Sequence, residues 1–191
     1  MDFSGNKVEI NAKGLDNVTI ENSETNYIEI YLLDINLTAH DIYTNEENET
    51  ISISFENTIE NDDDEIFRKF ITKRLERASV LIKIPKEKTI AVFGETVGIT
   101  SKSYQGNLNI YIDKGNIYLN DVYGNTEIKL FSGNLKGSVY QHNIDIISNK
   151  GTILIDNKEF KKKYKIAKNE AFDFVVNSIN ANVVLSTQKT Q

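Results

Sequence analysis

Between residues 106 and 157, apolar residues return in pairs, two positions apart, every nine residues. The nonamers that begin at 106, 115, 124, 133, 142 and 151 carry Leu108/Ile110, Ile117/Leu119, Thr126/Ile128, Leu135/Gly137, Ile144/Ile146 and Ile153/Ile155, and ten of these twelve are aliphatic. The position between each pair holds Asn109, Tyr118, Glu127, Lys136, Asp145 and Leu154, mostly polar. Alternation of this kind predicts a short strand with one buried and one wet face. Five of the six units open on glycine (Gly106, Gly115, Gly124, Gly133 and Gly151, with His142 in the remaining place), and five of six follow it with asparagine. Nine is odd, so an unbroken strand would invert its faces at every repeat, and each Gly-Asn must be a corner that restores the phase. Glycine reaches the backbone angles such a corner needs, Asn tolerates the left-handed region, and Asn side chains can ladder from repeat to repeat.

Two architectures satisfy the pattern. In a β-solenoid each nonamer is one side of a coil, and strands pair with those one coil away. In an antiparallel meander each nonamer is a strand and a hairpin turn, for which Asn-Gly rather than Gly-Asn is the strong signal.

Upstream, Val8–Ile10, Val18–Glu21, Tyr27–Leu32, Ile51–Phe55 and Val80–Ile84 alternate as strands, the last ended by Pro85, the only proline. Residues 62–78 differ. Apolar side chains at Ile66, Phe67, Phe70, Ile71, Leu75 and Ala78, acidic residues first and basic ones last, predict one inserted amphipathic helix. It is expected to pack across a sheet or to plug an end, or else to dock a partner. After Asp156 the nine-residue phase fails. Phe172–Val176 and Ala181–Leu185 are then expected as terminal strands or a cap.

Composition narrows the function. The 191 residues fit one elongated domain: N-terminal strands with the helix over 1–85, the repeat over 86–157, and terminal strands over 158–191. No apolar run reaches the roughly 18–20 residues of a spanning helix. A net charge of −6 argues against nucleic acid as partner. One basic cluster, Lys161, Lys162, Lys163, Lys165 and Lys168, reads as lysines protecting a strand edge, or alternatively as a patch for an anionic polymer. The absence of cysteine removes disulfides, thiolate metal sites, a catalytic thiol and a lipid-modified N-terminal Cys. The first residues lack the blocks of a signal peptide, so a cytoplasmic place is expected if Met1 is native, and the cell envelope or exterior if the chain was trimmed.

Candidate chemistry is sparse. Asp113, Glu127 and Asp145 are expected not to align in one row as an acid/base set. The only arginines, Arg68, Arg74 and Arg77, fall in the expected helix. His142 sits in a glycine place and is expected at a solvent-exposed corner without hydrolase partners. The repeat lacks the aspartates of calcium-binding nonapeptide rolls, so neither metal nor cofactor is expected. Outward aromatics, namely Tyr104, Tyr111, Tyr118, Tyr123, Phe131 and Tyr140, are candidates for a platform that binds glycan or protein. Tyr111, Tyr118 and Tyr123 form the candidate surface, although Tyr111 and Tyr118 hold different places in their repeats.

The order of alternating strands, a V-x-I-x-I-P-like strand (Val80-Leu81-Ile82-Lys83-Ile84-Pro85) and repeated G-x-hydrophobic-x-hydrophobic units resembles the bacterial putative adhesin domains, the DUF4097 family and its relative, the head GIN domain. The resemblance spans about residues 8–187. Family repeats often carry Ser-Gly-Asp, for which Ser132-Gly133-Asn134 is the nearest match here. The resemblance implies a right-handed, β-helix-like fold, an envelope setting and no catalytic residues. The expected protein is thus a mostly β, non-catalytic adhesin-like binding or scaffold module for a protein or glycan. The alternatives are a self-assembling filament protein or, further off, a carbohydrate-active β-helix enzyme.

Overall fold

The computed structural model describes residues 3–33, 40–57 and 78–188. Within these residues thirteen strands form one mixed sheet: β1 Lys7–Asn11, β2 Leu15–Asn22, β3 Glu29–Leu33, β4 His40–Glu47, β5 Thr50–Asn57, β6 Ala78–Ile84, β7 Thr89–Thr96, β8 Gly98–Lys102, β9 Asn107–Asn120, β10 Thr126–Ser138, β11 His142–Ile155, β12 Lys158–Ile166 and β13 Phe172–Ser186. Among the described residues there is no helix. The helix expected over 62–78 lies outside them, save for Ala78, which opens β6 as a buried strand residue instead.

The repeats pair in parallel, which overturns the meander. Leu108 on β9 lies opposite Thr126 on β10, and Ile117 opposite Leu135, an offset of 18 residues or two nonamers. The segments β7 and β8 stand at the same offset before β9, with Ile90 opposite Leu108 and Ile99 opposite Ile117. Each long strand therefore bends once. On β9 the buried residues are Leu108, Ile110 and Ile112 before Gly115, but Ile117 and Leu119 after it. This is the change of phase that an odd repeat demands, and it occurs at the Gly-Asn corner.

Stacking explains the glycine. At Gly133 φ is +141°, and a Cβ there would overlap the carbonyl oxygen of Gly115 on the neighbouring strand. Asparagines run along the same corner. Asn134 Nδ2 donates to Asn116 Oδ1 at 2.8 Å, and Asn182 Nδ2 donates to Asn134 Oδ1 at 3.2 Å. Inside, aliphatic side chains align in columns. Ile53, Ile10, Val92, Ile110, Ile128, Val176 and Ile146 succeed one another across β5, β1, β7, β9, β10, β13 and β11, all buried. Branched side chains directly opposite one another suit such a stack, and each fully buried one contributes about 1.5–3 kcal/mol.

Chain order departs from spatial order near both ends. The pair β1–β2 lies between β5–β6 and β7–β8, and β13 lies between β10 and β11. Segments 172–176 and 181–185 thus form one continuous strand inside the sheet, not a terminal cap. The cap is β12, which turns back antiparallel on β11 through Asp156 and Asn157, both at positive φ, as a two-residue primed hairpin requires. It places Phe160, Tyr164 and Ile166 over the core. At the other end β3 and β4 are likewise antiparallel to β6 and β5, the latter through Asn48 and Glu49 at positive φ.

Candidate functional site

The bend divides the outward side chains into two faces. On the first, Phe93, Tyr111, Lys129, Asn177, Ile147 and Lys163 lie in one row across β7, β9, β10, β13, β11 and β12. On the second, the matching row is Thr19, Thr100, Tyr118, Lys136, Val184 and Leu154 across β2, β8, β9, β10, β13 and β11. Tyr111 and Tyr118 sit on the same strand but on different faces.

Tyr111 is enclosed by its neighbours. Its ring stacks on Phe93 with centroids 5.4 Å apart and planes 27° from parallel, while Lys129 Nζ lies 4.9 Å from its centroid. Phe93 and Lys129 stand on the two flanking strands, so both ring faces are engaged. The hydroxyl donates to Glu127 Oε2 at 2.9 Å, and Lys129 pairs with Glu127 Oε1 at 3.0 Å. The hydrogen bond from Lys129, aided by that from Tyr111, holds the Glu127 carboxyl below its ordinary value. Burial, reinforced by the hydrogen bond to Glu127, raises the Tyr111 phenol. Beside this cluster a groove of about 530 Å³ runs between Tyr111, Phe131, Ile147 and Ile179.

Tyr118 is the opposite case. It is 47% exposed and stands between two grooves. One, of about 650 Å³, is lined by Tyr118, Asn120, Lys136, Ser138, Asp156, Asn157, Val184 and Ser186, among others. The second, of about 380 Å³, reaches from Tyr118 past Asn116 and Thr100 to Asn17. Together they cross β2, β8, β9, β10 and β13, four steps of about 4.8 Å or roughly 19 Å, and end at the turn after β11. Asp156 is committed to the strand end, accepting hydrogen bonds from the Thr187 amide at 2.8 Å and the Thr187 hydroxyl at 2.5 Å. Lys136 has no carboxylate within 4 Å among the described residues.

The remaining candidates fall elsewhere. Tyr123 is 47% exposed in the β9–β10 connection and lines none of these grooves. Tyr104, expected outside, is buried; its hydroxyl donates toward the carbonyls of Pro85 and Lys88, and burial raises its phenol far above the ordinary value. His142, expected at a wet corner, is only 4% exposed. With β13 beside it, its ring meets Phe172 at 5.7 Å, and its two nitrogens face the carbonyls of Tyr140 at 2.6 Å and Gly124 at 3.1 Å.

Glu127 and Asp145 do share a row, contrary to expectation, but Val175 of β13 separates them. Asp145 is itself neutralised by Lys165 at 2.7 Å and Lys163 at 3.7 Å. The lysine cluster supplies the outermost strand of the sheet: Lys161, Lys162, Lys163 and Lys165 lie on β12, where charge discourages pairing with another sheet edge. No three metal-ligating side chains converge among the described residues, and no helix there is long and apolar enough to cross a membrane.

The sequence reading missed Lys136 as a site residue. The signal was present: taken at 18 residues instead of nine, the middle repeat position separates into Asn109, Glu127 and Asp145 on the first face and Tyr118, Lys136 and Leu154 on the second.

No family model matches the chain, and no curated protein matches it in sequence. Among solved structures, "a putative cell adhesion protein from Clostridium sporogenes ATCC 15579" superposes with a TM-score of 0.63 over 98% of this chain and 94% of that one, at 11% identity. At that identity the likeness is one of fold: this chain is a mostly β protein built like a structure named for cell adhesion.

Proposed function

We propose that the chain is a non-catalytic, adhesin-like module in which the 18-residue offset winds a right-handed β-solenoid, as in the adhesin domains its sequence resembles. Its work is to hold a partner, protein or glycan, on a rigid outer face. The observation that carries this reading is Tyr118: an exposed ring on a strand fixed from both sides, with a groove on either flank. An aromatic held this way contributes contact area with little conformational entropy to lose on binding. The non-catalytic reading is supported by Glu127 and Asp145, which lie on the other face and are ion-paired, and by Asp156, which is tied to Thr187.

The test is retention of the purified protein on isolated bacterial envelopes, compared with Tyr118→Ala, with polysaccharide chain length followed in the same samples. Retention that falls at least tenfold in the variant, with no chain shortening, is the expected result. Equal retention of both proteins, or none of either, overturns the binding reading, and shortened chains overturn the non-catalytic one.

A further inference from the structure

We infer that the Tyr118 face takes an acidic glycan, a polysaccharide chain bearing carboxylates, laid across the strands from Asn17 toward Asn157. This rests on the binding-module reading and names the ligand class of the same site. The chemistry of the face selects that class. Around Tyr118 the grooves present amide and hydroxyl side chains, with Asn116 and Asn120 on its own strand, Ser138 and Ser186 on the strands beyond, and Thr100 behind, while the carboxylates of the lining, Asp16 and Asp156, stand at the two ends away from Tyr118 and Lys136. Such groups both donate and accept hydrogen bonds, as a sugar hydroxyl does. The single large exposed ring offers a flat surface against which a sugar can lie, and no ring–ring or cation–ring contact engages it among the described residues.

Protein partners require something different. Their interface cores are apolar and depleted of charge, yet the larger groove exposes only Tyr118 and Val184 as large apolar side chains. The other face, with Phe93, Phe131 and Ile179 all exposed, is better suited to that.

Charge narrows the sugar. Lys136 is the next residue along the Tyr118 row, one strand away, and faces the groove without a carboxylate of its own among the described residues. Elsewhere on this face Lys102 is paired with Glu21 at 2.6 Å, and on the other face Lys129 and Lys165 are paired with Glu127 and Asp145. A cation left open beside an exposed ring fits a ligand that brings the anion. The groove is shallow and crosses the strands, so an extended chain fits it better than a compact molecule.

The experiment is calorimetric titration with oligogalacturonate, alginate and hyaluronan oligosaccharides, and with neutral xylo- and gluco-oligosaccharides. The proteins are wild type, Tyr118→Ala, Lys136→Glu and, on the opposite face, Phe131→Ala, each checked for native circular dichroism. The expected result is binding of at least one acidic oligosaccharide that weakens with added salt. It falls tenfold or more in Tyr118→Ala and in Lys136→Glu, and is unchanged in Phe131→Ala. Binding of neutral chains alone, or of acidic chains indifferent to Lys136→Glu, overturns the acidic class and leaves the binding module standing. Loss in Phe131→Ala but not in Tyr118→Ala overturns the location. If no oligosaccharide binds, the glycan inference fails. In that event, envelope retention that still depends on Tyr118 assigns the face to a protein, and absent retention removes the binding reading as well.

Discussion

The two outward faces of this sheet are built on either side of the corner, from the outward residues of the segments before and after it, and they use their tyrosines in opposite ways. Tyr111 is a structural ring, clasped between Phe93 and Lys129 with its hydroxyl on Glu127. Tyr118, seven positions later on β9, stands clear of such contacts and looks into two grooves. The neighbours decide the difference. Parallel in-register stacking puts residues 18 apart beside each other, so Tyr111 inherits an aromatic and a cation, while Tyr118 inherits Thr100 and Lys136. Exposure alone would not separate a binding residue from a structural one; the occupancy of its ring faces does.

The comparison depends on the corner that holds the two faces apart, and breaking the corner has the largest expected effect. Gly133→Val would drive a side chain into the Gly115 carbonyl at a φ that β-branched residues avoid, so a loss of about 2–4 kcal/mol is expected by chemical denaturation. Next comes the clasp. Tyr111→Ala removes a ring stack, a cation–π contact and a hydrogen bond together, which should destabilise the fold by about 1–2 kcal/mol and leave envelope retention intact. Cutting the corner ladder is milder. Asn134→Ala leaves Asn116 and Asn182 to water, at a cost of about 0.5–1 kcal/mol in the same assay.

On the first face acid acts through Glu127. The folded protein holds Glu127 below its ordinary 4.5, so the contribution of this carboxylate is present above that value and is lost as pH falls through the lower, folded one. Its exposure keeps the effect small. A Glu127→Gln variant should lose less stability than wild type between pH 5 and pH 3 in thermal melts. At the bottom of the scale, Tyr118→Ala should unfold within about 0.5 kcal/mol of wild type, despite its expected effect on binding. A larger loss there would mean that Tyr118 packs as Tyr111 does.

How much of this was legible beforehand varies by feature. The phase change at a Gly-Asn corner and the end of β6 before Pro85 are local statements, and the structure shows both. The burial of Tyr104 and His142 is not legible in this way, because it is set by residues distant in sequence. The Pro85 and Lys88 carbonyls receive the Tyr104 hydroxyl, and β13 packs Phe172 against His142. Reading at nine residues also mixed the two faces, which hid the pairing of Tyr118 with Lys136 in one row.

The sequence by itself determined that the chain would form strands of alternating burial joined by corners, because period and glycine placement act within a few bonds. It equally determined that the phase would have to change at each corner, since nine is odd. Only the tertiary structure decided which strands lie side by side. That β13 enters between β10 and β11, and β1–β2 between β5–β6 and β7–β8, follows from no local preference. The hydrogen-bonding edge of one parallel strand accepts any other of matching pattern, and what selects among them is the burial of complete aliphatic columns in a single core.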